Sequence, residues 1–238
     1  VPEDVVVYAV GDIHGEAALL GRLIDAIAAD AGGPDEAGRK VIVFLGDYID
    51  RGPASAAVLS RLVSRPLAGF EHHFLRGNHE QVFLDFLTDP NGARDWLEFG
   101  GIATADSYGA EGIGRLSEPG GVEALAEELH RRLPEAHRDF LRSLRSSVEL
   151  GDYYFAHAGI RPQVSLDNQE PRDLIWIREP FLSWRRPHPK VIVHGHTIET
   201  GPVLGGVRIG IDTGAYATGL LTALVLRRTE QRILQVNR

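Results

Sequence analysis

The sequence predicts an α/β protein: buried parallel strands joined to shorter antiparallel ones, with a helical cap inserted around residues 80–147. Three observations carry that expectation. Short β-branched runs recur along the chain and each closes on glycine and polar residues. Helical periodicities separate the first three runs. From about 80 to 147 the strand signal gives way to amphipathic helices. The 238 residues suffice for one core, and a single domain over 1–238 is expected.

The first strand lies in VVVYAVGDIHG (5–15) and the second in VIVFLGDYIDRG (41–52). Unbroken apolar runs of this length suit strands buried on both faces. Between them Ala17, Leu20, Leu23, Ile24 and Ile27 recur at helical spacing and stop near the AGG at 31–33. A second helix is expected over 53–63, with Pro53 in its first turn, where a missing N–H costs nothing. FEHHFLRGNHE (70–80) supplies the third strand. This strand–helix alternation implies parallel pairing through right-handed crossovers, and ligands of such sheets sit beyond the carboxyl ends of the strands. EQVFLDFL, VEALAEELHRRL and EAHRDFLRSLRSS form the cap. DYYFAHAG (152–159) and VIVHGHT (191–197) resume the strands. Past residue 200, GPVLGG, VRIGID, LTALVLRR and QRILQVN are short and turn-bounded, as antiparallel strands are.

Composition narrows the function. Acidic side chains outnumber basic ones 33 to 25, a formal charge of −8, which argues against nucleic-acid or anionic-membrane partners. With no cysteine, disulfides and thiolate metal sites are excluded, so a metal must be held by His, Asp, Glu or Asn. No window reaches the roughly 18 apolar residues of a membrane span. The first residues carry acids where a secretion signal carries bases, so a cytoplasmic protein is expected.

Charge collects where the strands end: Asp12 and His14, Asp47 and Asp50, Asn78 and His79, His157, His196. Carboxylate, imidazole and amide oxygen together suit divalent ions such as Mn, Fe or Zn. Six candidate ligands are too many for one open site but fit two adjacent ions with a bridging carboxylate, the arrangement that clamps an in-line phosphoryl displacement.

GDIHG, GDYIDRG, LRGNHE, HAG and HGHT, in that order, resemble the phosphoprotein phosphatase branch of the calcineurin-like metallophosphoesterases, above all bacterial and phage serine/threonine protein phosphatases. The resemblance implies mixed sheets forming a β-sandwich flanked by helices (αββα). It also implies two divalent metal ions, manganese first and iron, zinc, cobalt or nickel otherwise. By the same resemblance Asp12, His14 and Asp47 hold one ion, and Asp47, Asn78, His157 and His196 hold the other. His79 is then the catalytic histidine at the leaving oxygen and Asp50 its carboxylate partner. Arg51, Arg76 and Arg178 hold phosphate oxygens. A carboxylate beside His79 favours its charged form, and arginine's planar fork matches phosphate.

The implied activity is hydrolysis of phosphate monoesters, foremost phosphoserine or phosphothreonine of a phosphorylated protein, with small phosphoesters as other substrates. The alternative is a dinucleoside polyphosphate, such as diadenosine tetraphosphate, or another phosphodiester. It ranks second because nucleotide-cleaving relatives usually have glutamine where His14 stands and aspartate where Glu80 stands. A catalytically silent metal-holding scaffold ranks third, since no ligand is missing. His194 is expected to pack or to support a ligand, and Asp212 to stabilise a turn or hold a ligand histidine. Trp96 and Trp176 are expected as core or rim aromatics, with Trp176 near enough to Arg178 to line a cleft.

Overall fold

The computed structural model describes residues 1–32 and 38–238; Gly33, the last residue of the expected helix stop, lies outside them. The strands are β1 (Val5–Val10), β2 (Arg39–Phe44), β3 (Phe70–Phe74), β4 (Ser147–Leu150), β5 (Tyr153–Ala156), β6 (Val191–His194), β7 (Val203–Leu204), β8 (Arg208–Gly210), β9 (Leu220–Arg227) and β10 (Glu230–Asn237). They form two five-stranded sheets, ordered β10-β9-β1-β2-β3 and β4-β5-β6-β8-β7.

Both sheets bury apolar side chains on both faces. Val5, Val7 and Ala9 of β1, with Val41 and Val43 of β2, share one cluster with Phe155, Val193 and Ile209 of the second sheet. That cluster is the interior of the sandwich. The alternate residues Val6, Tyr8 and Val10 turn the other way, onto Leu20 and Leu23 of α1 (Ala17–Asp30) and Leu59 and Leu62 of α2 (Ser55–Val63). An unbroken apolar run is what such a strand requires. Outside the second sheet, Tyr154 and Ile192 pack on Leu174 and Ile175.

The cap comprises α3 (Asn78–Thr88), α4 (Gly101–Ser107), α5 (Gly121–Arg132) and α6 (Glu135–Ser143). Its Phe83, Phe86, Leu125, Leu129 and Phe140 run into the cluster under the first sheet, so it is an extension of that core. The remaining α-helices among the described residues are α7 (Pro171–Trp176) and α8 (Ala215–Thr218).

Three details differ from the sequence-based expectation. The helix after β2 starts at Ser55, two residues beyond Pro53. α4 lies in a stretch with no strong apolar period. The last strands are not all antiparallel: β8 pairs antiparallel with β7 but parallel with β6. Parallel pairing of β1, β2 and β3, and of β5, β6 and β8, sends the carboxyl end of each toward one rim. The polar residues singled out above follow those ends.

Tyr8 Oη donates to Asp30 Oδ2 at 2.8 Å, and Arg232 Nη2 donates to both Asp30 oxygens at 2.7 Å, tying the end of α1 to β1 and β10. Partial burial would raise the Asp30 carboxyl, but Arg232 and Tyr8 outweigh it and hold it below its ordinary value. A depressed carboxylate stabilises the fold above its unfolded pKa, and that contribution is lost as pH falls through the folded value. Asp30→Asn is expected to cost about 1 kcal/mol at neutral pH, measured by urea unfolding. The gap to wild type should close in acid below the usual carboxylate range; a gap that persists there would reject this account.

Candidate functional site

The loops leaving the strands are strained where the candidates sit. Among the described residues eight that are not glycine have positive φ, and five of these are His14 (45°), Asp47 (51°), Asp50 (71°), Arg51 (68°) and His196 (62°). A left-handed backbone costs an ordinary residue roughly 1–2 kcal/mol, so its surroundings must impose it.

Glu80 is the main restraint. Fully buried in the first turn of α3, its Oε2 accepts the N–H groups of Asp47 and Gly77, both at 2.9 Å, and its Oε1 accepts that of Tyr48 at 2.7 Å. Burial, reinforced by Asp47, raises its carboxyl to about 7. Asp47 O in turn accepts the N–H groups of Ile13 and His14. The loops after β1, β2 and β3 are thereby one unit. Two glycines let carboxylates approach the backbone: a Cβ at Gly77 would lie 2.1 Å from Asp47 Oδ1, and one at Gly195 2.0 Å from Asp12 Oδ1.

Acceptors converge inside this frame. His14 Nδ1 donates to Ile49 O at 2.9 Å and His157 Nδ1 donates to Leu45 O at 3.0 Å. Each ring therefore turns its Nε2 inward, at 3.5 and 3.4 Å from Asp47 Oδ2. A backbone carbonyl fixing one imidazole nitrogen is how metal-binding histidines are oriented. Asn78 Oδ1 lies 3.1 Å from His157 Nε2 and 2.9 Å from His196 Nδ1. Asp12 Oδ1 and His196 Nε2 are buried with no hydrogen-bond partner. Burial lowers His14 and His196 to about 3, so both rings are neutral, as metal ligation requires.

Ligand atoms of His14, Asp47 and His79 lie within 4.8 Å of one another, as do those of Asp47, His157 and His196. Asp47 belongs to both groups, and with His14, His157 and His196 it fits a pair of divalent ions, while His79 is engaged by Asp50. Asp12 stands outside both groups; its Oδ2 accepts the His196 N–H at 3.0 Å.

His79 Nδ1 bonds Asp50 Oδ2 at 2.7 Å. Asp50 is fully buried and also accepts from Trp96 Nε1 at 2.9 Å and Thr104 Oγ1 at 2.6 Å. Burial would lower His79, but Asp47 and Asp50 overcome it and raise it to about 9. Trp96, expected as a core or rim aromatic, and Thr104, which carried no sequence signal, thus hold the Asp50–His79 pair.

The cluster forms the floor of a cleft of about 350 Å³. Arg51 and Arg178 reach it from the sides, and Phe99, Trp176 and Ile198 form its rim. Tyr216, which carried no sequence signal, hydrogen-bonds the Arg51 guanidinium and lies beneath it, 4.7 Å from Arg51 Cζ to the ring centre. Asp212 also lines the cleft and caps Gly214 N–H at 2.9 Å. His194 points away, to Arg208 and to the Gly195 carbonyl.

Arg76 is not brought to the cleft. Its backbone N–H is held by the Arg145 carbonyl at 2.8 Å, which sends the side chain toward α6. There Nη1 donates to Gln81 at 2.9 Å and Nη2 to the Arg142 carbonyl at 3.2 Å. The expected phosphate contact from Arg76 is therefore absent from this arrangement.

The profile of the calcineurin-like phosphoesterases matches residues 5–214. The asymmetrical bis(5'-nucleosyl)-tetraphosphatase PrpE of Halalkalibacterium halodurans is 27% identical over 231 residues, 90% of this chain and 87% of that protein. The serine/threonine-protein phosphatase BSL2 of Arabidopsis thaliana is 38% identical over 82 residues, 32% of this chain and 8% of that protein. Among solved structures, one presented as a candidate diadenosine tetraphosphatase superposes with TM-score 0.67 at 22% identity, covering 99% of this chain and 98% of that one. A cold-active protein-tyrosine phosphatase of a psychrophilic Shewanella species superposes with TM-score 0.60 at 18% identity, covering 100% and 82%. These two likenesses bear on the fold alone.

Purified protein is expected to carry two divalent ions per chain by elemental analysis, and Asp47→Asn to lose at least one. Wild-type protein that stays metal-free after incubation with manganese and desalting would refute the fit.

Proposed function

We propose a nucleotide substrate for this chain, which belongs to the calcineurin-like phosphoesterase family and is a metal-dependent hydrolase of phosphoester bonds. In our reading it cleaves dinucleoside polyphosphates, diadenosine tetraphosphate being the representative case. One observation carries this choice. Of the five large apolar side chains exposed among the described residues, Phe99 (53% exposed), Trp176 (37%) and Ile198 (46%) line the cleft over the polar cluster. Flat apolar groups beside two arginines suit a base attached to a chain of phosphates, because any base stacks on an aromatic ring. The tetraphosphatase relative, aligned over 90% of the chain, supports the same reading. The order of preference expected from His14 and Glu80 is thus reversed.

The roles follow from the contacts. Two divalent ions held by Asp12, His14, Asp47, Asn78, His157 and His196 would supply charge neutralisation and a water of lowered pKa. Arg51, steadied by Tyr216, and Arg178 bind phosphate oxygens with paired donors. His79 is protonated at neutral pH and gives its proton to the departing oxygen, with Asp50 fixing the ring. Trp96 and Thr104 keep Asp50 from turning away.

The serine/threonine protein phosphatase reading keeps one specific support, the 82-residue match at 38% identity. Rates on diadenosine tetraphosphate, a phosphoserine peptide and p-nitrophenyl phosphate separate the two. We expect the highest kcat/KM on the tetraphosphate. Replacing both Phe99 and Trp176 by alanine should raise its KM by roughly tenfold or more, leaving p-nitrophenyl phosphate little changed. A faster phosphopeptide reaction that is indifferent to the two aromatics would overturn the nucleotide assignment. Asp50→Asn should lower kcat by about 10²-fold on every substrate, and an unchanged kcat would remove His79 from the proton transfer.

A further inference from the structure

Arg76 leads to a second cleft, on the far side of its own loop. Arg76, Arg138 and Arg142 line it, over a floor that includes Leu84 and Leu87, with a volume of about 260 Å³. No carboxylate lines it, and among the described residues none of the three arginines makes an ion pair. Their contacts are to neutral groups: Arg76 to Gln81 and the Arg142 carbonyl, and Arg138 to the His130 carbonyl at 3.2 Å. Arg76 Nε is buried with no hydrogen-bond partner.

The grouping is unfavourable as it stands. Arg138 and Arg142 are four apart on α6, so their like charges share a helix face, and Arg76 adds a third. The apolar floor weakens screening and strengthens the field. The chain as a whole carries −8, so this concentration runs against its overall sign. Guanidinium forks around a partly apolar cleft of this size match a tetrahedral dianion.

We propose that this cleft is a second anion site, taking a phosphate dianion, either free or at the end of a small ester. It is distinct from the cleft over the metal-ligand cluster and does not depend on the nucleotide reading. Arg76 directly precedes Gly77, whose N–H is held by Glu80 and whose Cα abuts Asp47. An anion that draws in the Arg76 side chain therefore bears on the turn from which Asn78 and His79 project.

The test is calorimetric titration of the metal-loaded protein with inorganic phosphate and, in a parallel arm, AMP. Wild type should show two binding events per chain for phosphate. Arg138→Gln/Arg142→Gln should lose one of them, and Arg178→Gln should weaken the other. Tighter binding of AMP than of phosphate at the lost event identifies the ester form as ligand, and the reverse order the free anion. In steady-state turnover of p-nitrophenyl phosphate, added phosphate should depress kcat as well as raise KM in wild type. In the double variant only the KM effect should remain, with phosphate-free kcat/KM within about twofold of wild type. Arg142→Glu, which would pair with Arg138, should abolish the same event without lowering Tm, separating ligand loss from damage to α6. Retention of both events in the double variant and in Arg142→Glu, or survival of the kcat effect in either, would overturn the proposal.

Discussion

The site depends on one buried carboxylate that touches no substrate. Glu80 accepts four backbone N–H groups from two different loops, those of Asp47, Tyr48, Ile49 and Gly77. Leaving such donors unmet in a dry interior costs about 1–3 kcal/mol each, so the loops after β2 and β3 have a single favourable arrangement. Asp47 inherits its position from that clamp and passes it to His14 through its own carbonyl. The side chains that converge on Asp47 are thus set by main-chain hydrogen bonding before any ion arrives.

Around that frame the chain divides its arginines by environment. Arg51 is steadied by an aromatic ring and Arg178 is exposed at the cleft, both with donors to spare for a phosphate. Arg76, only two residues from Asn78, is drawn out of the site by the Arg145 carbonyl. Motif membership places a residue's backbone, while a neighbouring element decides which side its side chain takes. Here that neighbour is Arg145, in the link between α6 and β4, distant in sequence.

Much of this was legible from residue order alone. Strands buried on both faces gave unbroken apolar runs at β1 and β2, and the charged residues closing those runs are the ones the sheets bring to a common rim. The contributions of Trp96, Thr104 and Tyr216 were hidden because their polar atoms act over separations of 46, 54 and 165 residues. Local periodicity carries no information about such pairs. The parallel pairing of β8 with β6 was hidden for a similar reason: short strands fit either direction, and the neighbour is chosen by the sandwich as a whole. α4 escaped notice because small residues, Gly101, Ala103 and Ala105 among them, give no apolar stripe.

The left-handed backbone at His14, Asp47, Asp50, Arg51 and His196 also shapes how such a protein can drift. Glycine relaxes that conformation, so at each of these positions the mutation that eases the chain is also the one that erases a functional group. A lineage released from selection for chemistry would gain robustness step by step as it decayed, and its pseudo-enzyme descendants would be recognisable by glycines in these five places. The same asymmetry warns that directed evolution screened for thermal tolerance alone would dismantle the centre first.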